Sequence, residues 1–293
     1  MRRRLATLVA FTILAACTGG HRAAPPTTTI SIPHAVTDTS ATSTTTTTPI
    51  VAGGEGFHTR VKDELIVGTE SIEPPWFTTS ASGVVTGGLD FQFAKELGTR
   101  LGVPIVKVVP TSLLLMMTGQ DSKCDVMISN VTITDARARS LDLSEPYLGA
   151  DQALVVRGDI TVATLTEAAT RRLGVALRDV TGYSVIVNKI RPVIRPTIVT
   201  DVSDAVRLIA EGQLDGIVLD TPDALALTVT NPTLAVAGQV ATGEHYAVAL
   251  NLGSPNTALL NDVITDMRDD GTIDRLVTQF FGRLPSDVTV LPP

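Results

Sequence analysis

An arginine five residues after a threonine, at the point where a strand gives way to a helical turn, is the first place in this chain where residue types and spacing suit a ligand. The stretch runs Asn130-Val131-Thr132-Ile133-Thr134-Asp135-Ala136-Arg137. Thr132 and Thr134 bring hydroxyls, the turn brings free backbone N–H groups, and Arg137 brings a guanidinium whose fork matches two carboxylate oxygens. That chemistry is capture of a carboxylate. Taken alone, the same residues also read as a solvated face carrying Arg137 and Arg139, with Thr134 as a helix cap. A second loop, Arg178-Asp179-Val180-Thr181-Gly182, stands between a strand and a helix start and gives the same anion-binding expectation around Thr181. Asp220 follows the apolar run Gly216 to Leu219, so it stands at a strand's carboxyl end. Glu70, Glu73 and Trp76 fall in a Pro-punctuated turn. The two glutamates read either as solvated turn carboxylates or as cleft residues favouring a basic or amide side chain. Trp76 reads as core or as a platform for ligand.

The elements that position these residues alternate. Glu64 to Thr69 and Ile105 to Val109 read as strands around a helix that Asp90 opens as N-cap and Gly102 ends, an order that implies parallel pairing with a right-handed crossover. Asp125 to Ser129 is a further buried strand, and open α/β sheets bind ligands at the carboxyl ends of such strands. Strands are also expected at 152–157, 172–177, 198–199 and 246–250. Helices are expected at 164–170, 183–190, 204–211, from Thr221 onward, 256–269 and 273–281.

Arg2 to Arg4 followed by an apolar run too short to span a bilayer, which takes about 20 residues, read as a secretion signal over 1–16. The run ends Leu14-Ala15-Ala16-Cys17, which looks like a bacterial lipobox with Cys17 as the lipidated residue. Residues 17–56, with an unbroken Thr run at 44–48 and several prolines, cannot bury a core and read as an extended tether. The only other cysteine, Cys124, reads as a small buried hydrophobe. Four scattered histidines build no metal site, and no cofactor is expected. A net charge of -7 offers no basic surface to nucleic acid.

Thr132-Ile133-Thr134-Asp135-Ala136-Arg137, followed by Leu141-Asp142-Leu143-Ser144-Glu145-Pro146-Tyr147, resembles the T-I-T-x-x-R and D-F-S-x-P-Y segments of family 3 extracellular solute-binding proteins of amino-acid ABC transporters, of glutamine or polar amino-acid binding type. The run Gly212 to Pro222 is similar to that family's G-x-x-D-A-V-x-x-D-x-P, and Arg268 to Thr272 to its R-x-D-G-T ending. Departures fall at Glu70, Glu73, Leu89, Leu143 and the Arg178-Asp179 pair. The resemblance implies an α/β protein of the periplasmic-binding type II fold, two α/β lobes joined by a hinge of two crossings. Lobe 1 would comprise 57–157 and 245–293, and lobe 2 residues 158–244. It further implies that Arg137 and Thr132 hold an amino acid's α-carboxylate, that Asp220 takes its α-ammonium, and that Asn130 and Thr181 sit beside it. Glu70, Glu73 and Trp76 would lie near the side chain. A monomeric, lipid-anchored extracytoplasmic binding protein serving an ABC permease follows, and not an enzyme. A tethered nutrient sensor and a cyclohexadienyl-dehydratase-like enzyme, the latter needing Glu70 or Glu73 as its acid, are the alternatives.

Overall fold

The computed structural model describes residues 56–293, apart from Asp121 and Arg178. The expected leader, the tether, Cys17 and Arg178 therefore lie outside the described residues. The chain builds β1 (Glu64–Thr69), the short hairpin β2 (Thr78–Thr79) and β3 (Val85–Gly87), α1 (Leu89–Arg100), β4 (Ile105–Pro110), α2 (Leu113–Met117), β5 (Val126–Thr132), α3 (Asp135–Ala138), β6 (Leu141–Leu143) and β7 (Leu148–Gly149). It continues through β8 (Gln152–Arg157), α4 (Leu165–Ala168), β9 (Leu173–Ala176), α5 (Val180–Val185) with a π-helical turn at Ile186–Ile190, β10 (Thr197–Val199), α6 (Val202–Ala210), β11 (Gly216–Asp220), α7 (Thr221–Thr230) and β12 (Leu234–Val240). β13 (His245–Asn251), α8 (Thr257–Asp269) and α9 (Thr272–Phe281) complete it.

Two sheets result. One has the order β4-β1-β5-β13-β6, the other β10-β9-β11-β8-β12. In each, three parallel strands are followed by one antiparallel strand that arrives from the other lobe: β13 in the first sheet, β8 in the second. Both arriving strands are almost wholly buried, as their apolar runs require.

The expectation that β8 closes the first lobe is corrected here. Gln152 to Arg157 pairs with β11 on one side and β12 on the other, so the chain leaves the first sheet near Ala150 and Asp151, not at 158. The return falls between Val240 and His245. The tail departs from expectation too. Beyond α9, Val288 packs into the first lobe's core, whereas Leu291 packs into the second's. Between them the backbone pairs with Gln239 of β12: its N–H donates to the Thr289 carbonyl at 2.8 Å, and the Leu291 N–H donates to the Gln239 carbonyl at 2.8 Å. Only a glycine at 238 leaves room, because a Cβ there would meet the Leu291 side chain at 2.6 Å.

α1 begins one residue before the expected cap. Gly88, with φ 104°, turns the chain into the helix, and Asp90 lies inside the first turn with its carboxyl buried. α5 starts three residues early because the Asp179 side chain accepts from the Gly182 N–H and caps it. Cys124 is buried, as expected.

Candidate functional site

A cleft between the lobes has two chambers. The larger, about 800 Å³, is lined by Thr132, Thr134 and Arg137 from the first lobe and by Asp179, Thr181, Asp220 and Glu244 across it. The smaller, about 400 Å³, is lined by Glu73, Trp76, Asp90 and Asn130 on one side and by α7 on the other. Asp223, in the first turn of α7, borders both. Its Oδ1 accepts from Trp76 Nε1 at 3.1 Å and from Asn130 Nδ2 at 3.2 Å, two bonds that join the lobes.

The end of β5 makes the first wall. Asn130 takes a left-handed conformation, φ 51°, which Asn tolerates better than most residues and which turns its side chain toward Asp223. Two residues on, the Thr132 carbonyl accepts from Arg137 Nη1 at 2.6 Å. That bond fixes the guanidinium at the chamber wall. Thr134 caps α3 by accepting from the Arg137 N–H at 3.2 Å. Cap and cleft residue are thus the same few positions.

The second wall is acidic. Asp220 ends β11, and its carboxylate accepts from Gln152 Nε2 and, at 2.6 Å, from the Tyr246 hydroxyl. Those donors belong to the two arriving strands, so the carboxylate is oriented by the hinge itself. Glu244 accepts from the Thr181 hydroxyl at 3.1 Å and from the Thr242 hydroxyl at 3.1 Å. Burial pushes Asp179 up to about 6, against the Gly182 N–H bond, with Asp220 and Glu244 adding to the rise. Burial, then Asp220, pushes Asp223 up to about 7. Asp90, at 1% exposure, is raised well above the carboxylate range by burial and by Asp223.

The structure gathers Arg137, Thr132, Thr181 and Asp220 around the larger chamber, and Asn130, Glu73 and Trp76 around the smaller. Thr181 does not form the expected anion site. Its hydroxyl is given to Glu244, and the Asp179 carboxyl already takes the N–H that an anion would use. Glu70 lines neither chamber; it caps α2, accepting from the Leu113 N–H at 3.0 Å and the Ser112 hydroxyl at 3.2 Å. Trp76 is a core residue, edge-on to Phe281 at 5.3 Å and to Tyr246 at 6.5 Å between ring centroids, not an open platform. Missed from the sequence were Asp223, Asp179, Glu244 and the donors Gln152 and Tyr246. Asp223 carried a signal, since it follows Asp220 by one helical turn. Among the described residues no His, Cys, Asp and Glu group is arranged to hold a metal ion.

Residues 65–283 match the model of the bacterial extracellular solute-binding proteins, family 3. The L-cystine-binding protein TcyJ of Escherichia coli (strain K12) is 34% identical over 242 residues, covering 80% of this chain and 88% of its own. Among solved structures, the ancestral cationic amino acid solute-binding protein AncCDT-1 superposes with a TM-score of 0.65 at 25% identity, covering 75% of this chain and 96% of that one. The unliganded, open L-cystine solute receptor of Neisseria gonorrhoeae gives a TM-score of 0.61 at 23% identity over 78% and 95% of the two chains. Two sheets of matching strand order, each closed by a strand from the other lobe, are the type II periplasmic-binding fold, and the chain belongs to the bacterial extracellular solute-binding proteins, family 3.

Proposed function

We propose that this protein captures a free polar amino acid between its lobes and passes it to an ABC importer. The observation that carries the reading is that Arg137 and Asp220 face one chamber from opposite lobes. Arg137, with the Thr132 hydroxyl, takes the α-carboxylate, and Asp220 takes the α-ammonium. Because each charge of the zwitterion is met by a different lobe, the ligand stabilises the closed arrangement over the open one; hinge closure of this kind is a standard behaviour of periplasmic binding proteins. Asn130 and Asp223 join the lobes behind the ligand. The protein binds without chemical conversion. Glu70, the acid that a dehydratase-like reading needs, is spent capping α2, and Glu73 sits exposed at the chamber rim.

The chain works outside the cytoplasm as a monomer, held to the membrane through Cys17 and spaced from it by the Thr-rich residues 17–56. The lipobox-like Leu14 to Cys17 supports the anchor. Among the described residues no helix is long and apolar enough to cross a membrane.

Thermal-shift titration of the protein with the amino acids, cystine included, tests this. A ligand present at about 100 times its dissociation constant adds about 2.7 kcal/mol to stability, which such a titration resolves easily. The shift is expected to disappear in Arg137→Ala and in Asp220→Ala. Absence of any shift with every amino acid would overturn the reading.

A further inference from the structure

The second lobe carries apolar side chains on its outside, away from the cleft's charged walls. Seven of the fifteen exposed large apolar residues among the described ones fall within 177–198. Single exposed hydrophobes are ordinary on a soluble protein, but a concentration of them marks a contact surface. The local elements explain why they stay outside. α5 and the π-helical turn after it bury Val185, Ile186 and Ile190 in the second lobe's core, which leaves Val187 on the solvent side. The loop that follows is tied down at Val193, whose N–H donates to the Ala169 carbonyl at 2.9 Å, yet the Val193 side chain is 84% exposed. β10 is an edge strand, paired with β9 alone. Its Ile198 is the register partner of Val175, which packs in the same core as α5, so Ile198 lies on α5's side of the sheet, exposed at the rim.

Positive charge accompanies these residues. Thr181 to Thr200 contains Lys189, Arg191 and Arg195 and no acidic residue, in a chain whose net charge is -7. All three are exposed, and among the described residues none of them forms an ion pair, whereas Arg172 and Arg207 of the same lobe are held by Asp215, Asp204 and Glu211. We propose that this face of the second lobe, centred on Lys189 to Ile198, rests on a membrane surface of anionic phospholipid. The three cations meet headgroup phosphates, and Val187, Val193, Ile194 and Ile198 enter the boundary between headgroups and acyl chains. Lysine and arginine interleaved with aliphatic side chains, free of acids, suit that boundary. The centre of a protein interface is instead rich in aromatic side chains and poor in lysine, and this face is aliphatic around Lys189. At physiological salt the screening length is about 8 Å, so the acidic remainder of the molecule does not cancel the local attraction. The anchor proposed at Cys17 keeps the face near lipid, but the association argued here needs no lipid on the chain and is independent of which ligand the cleft takes.

The test is co-sedimentation of the chain from residue 17 onward, carrying Cys17→Ser to exclude acylation, with vesicles of phosphatidylcholine alone or of equal parts phosphatidylcholine and phosphatidylglycerol, in about 0.1 M salt. The mixed vesicles should bind the protein and the neutral ones should not, and about 1 M salt should weaken the binding. Lys189→Ala and Arg195→Ala should each weaken it about 5-fold, the value of one cation near an anionic surface. Val193→Ser combined with Ile194→Ser should weaken it about 10-fold. All four side chains are exposed, so the variants should melt within about 2 °C of the unmodified chain, which separates lost binding from lost folding. Equal binding to neutral and mixed vesicles, or full binding by the two charge variants, would overturn the inference. Full binding by the Val193 and Ile194 variant would overturn the insertion of the apolar side chains. No binding of the mixed vesicles by the unmodified chain would overturn the inference in favour of a protein partner for this face.

Discussion

Asp179 and Asp223 hold their protons far more tightly than ordinary carboxyls, at about 6 and about 7, with burial as the largest cause for each. An acid whose pKa rises on folding binds its proton better in the folded state. Its contribution to stability is complete below the unfolded value, near 4, and is lost as pH climbs through the folded one. The unliganded protein is therefore expected to lose thermal stability between about pH 4 and pH 7, and Asp223→Asn to flatten part of that loss. Scanning calorimetry at half-unit pH steps reads this, and a melting temperature that climbs steadily to pH 8 would contradict it. Asp270, held down at about 2 by its Thr272 and Arg100 bonds, acts in the opposite sense but finishes titrating below this window. These residues also show where sequence stops being legible. Arg137, Thr132 and Asp220 stand in recognisable runs, Thr132 and Asp220 each ending a strand and Arg137 in the helical turn that follows one. Asp90 could not, because an acid near a helix start serves equally as a cap or as a buried group. Which one it becomes depends on the Gly88 turn, which starts the helix two residues sooner than an Asp90 cap would.

Glu70 shows how an element can take over a residue that its neighbourhood suggests for a ligand. α2 is five residues long, too short to persist on its own propensity, and its first N–H groups need acceptors. Ser112 caps the Leu114 N–H from within the chain and Glu70 reaches across from the end of β1 to the Leu113 N–H. Glu70→Ala is expected to cost about 1 kcal/mol, lowering the melting temperature by about 2–4 °C. Its ligand affinity should stay within about 2-fold, well short of the loss expected on cutting a charged contact. A large loss of affinity without a change in melting temperature would place the residue in the cleft instead. Most of the longer strands and helices were legible from apolar runs and punctuation, to within a few residues, whereas α2 and the edge strand β12 were not expected. Sheet membership was not: nothing in Gln152 to Arg157 says which sheet it enters, since a strand with an apolar centre pairs equally well in either. Only the pairing partners, β11 and β12, settle it.

At the scale of the whole molecule, the lobes are joined by the two hinge crossings and by a third connection near the carboxyl end. Val288 is anchored in one core and Leu291 in the other, three residues apart, a span of about 10 Å at full extension. The connection is backed by Gln239, whose Nε2 donates to the Val288 carbonyl at 2.8 Å and whose Oε1 accepts from the Thr221 hydroxyl at 3.0 Å, beside Asp220. A link so short and so anchored limits how far the lobes separate along this edge. Deleting residues 286–293 removes the burial of Val288 and Leu291, worth about 1.5–3 kcal/mol each as an upper estimate, and leaves the buried Gln239 amide without its acceptor. The shortened protein is expected to melt several degrees lower and, without ligand, to show a larger radius of gyration by small-angle X-ray scattering. With saturating ligand the two forms should converge, because the clamp from Arg137 to Asp220 then holds the lobes regardless of the tail. If the unliganded radii agree while the melting temperature still falls, the tail stabilises the second lobe's sheet edge alone and the opening is set by the two hinge crossings.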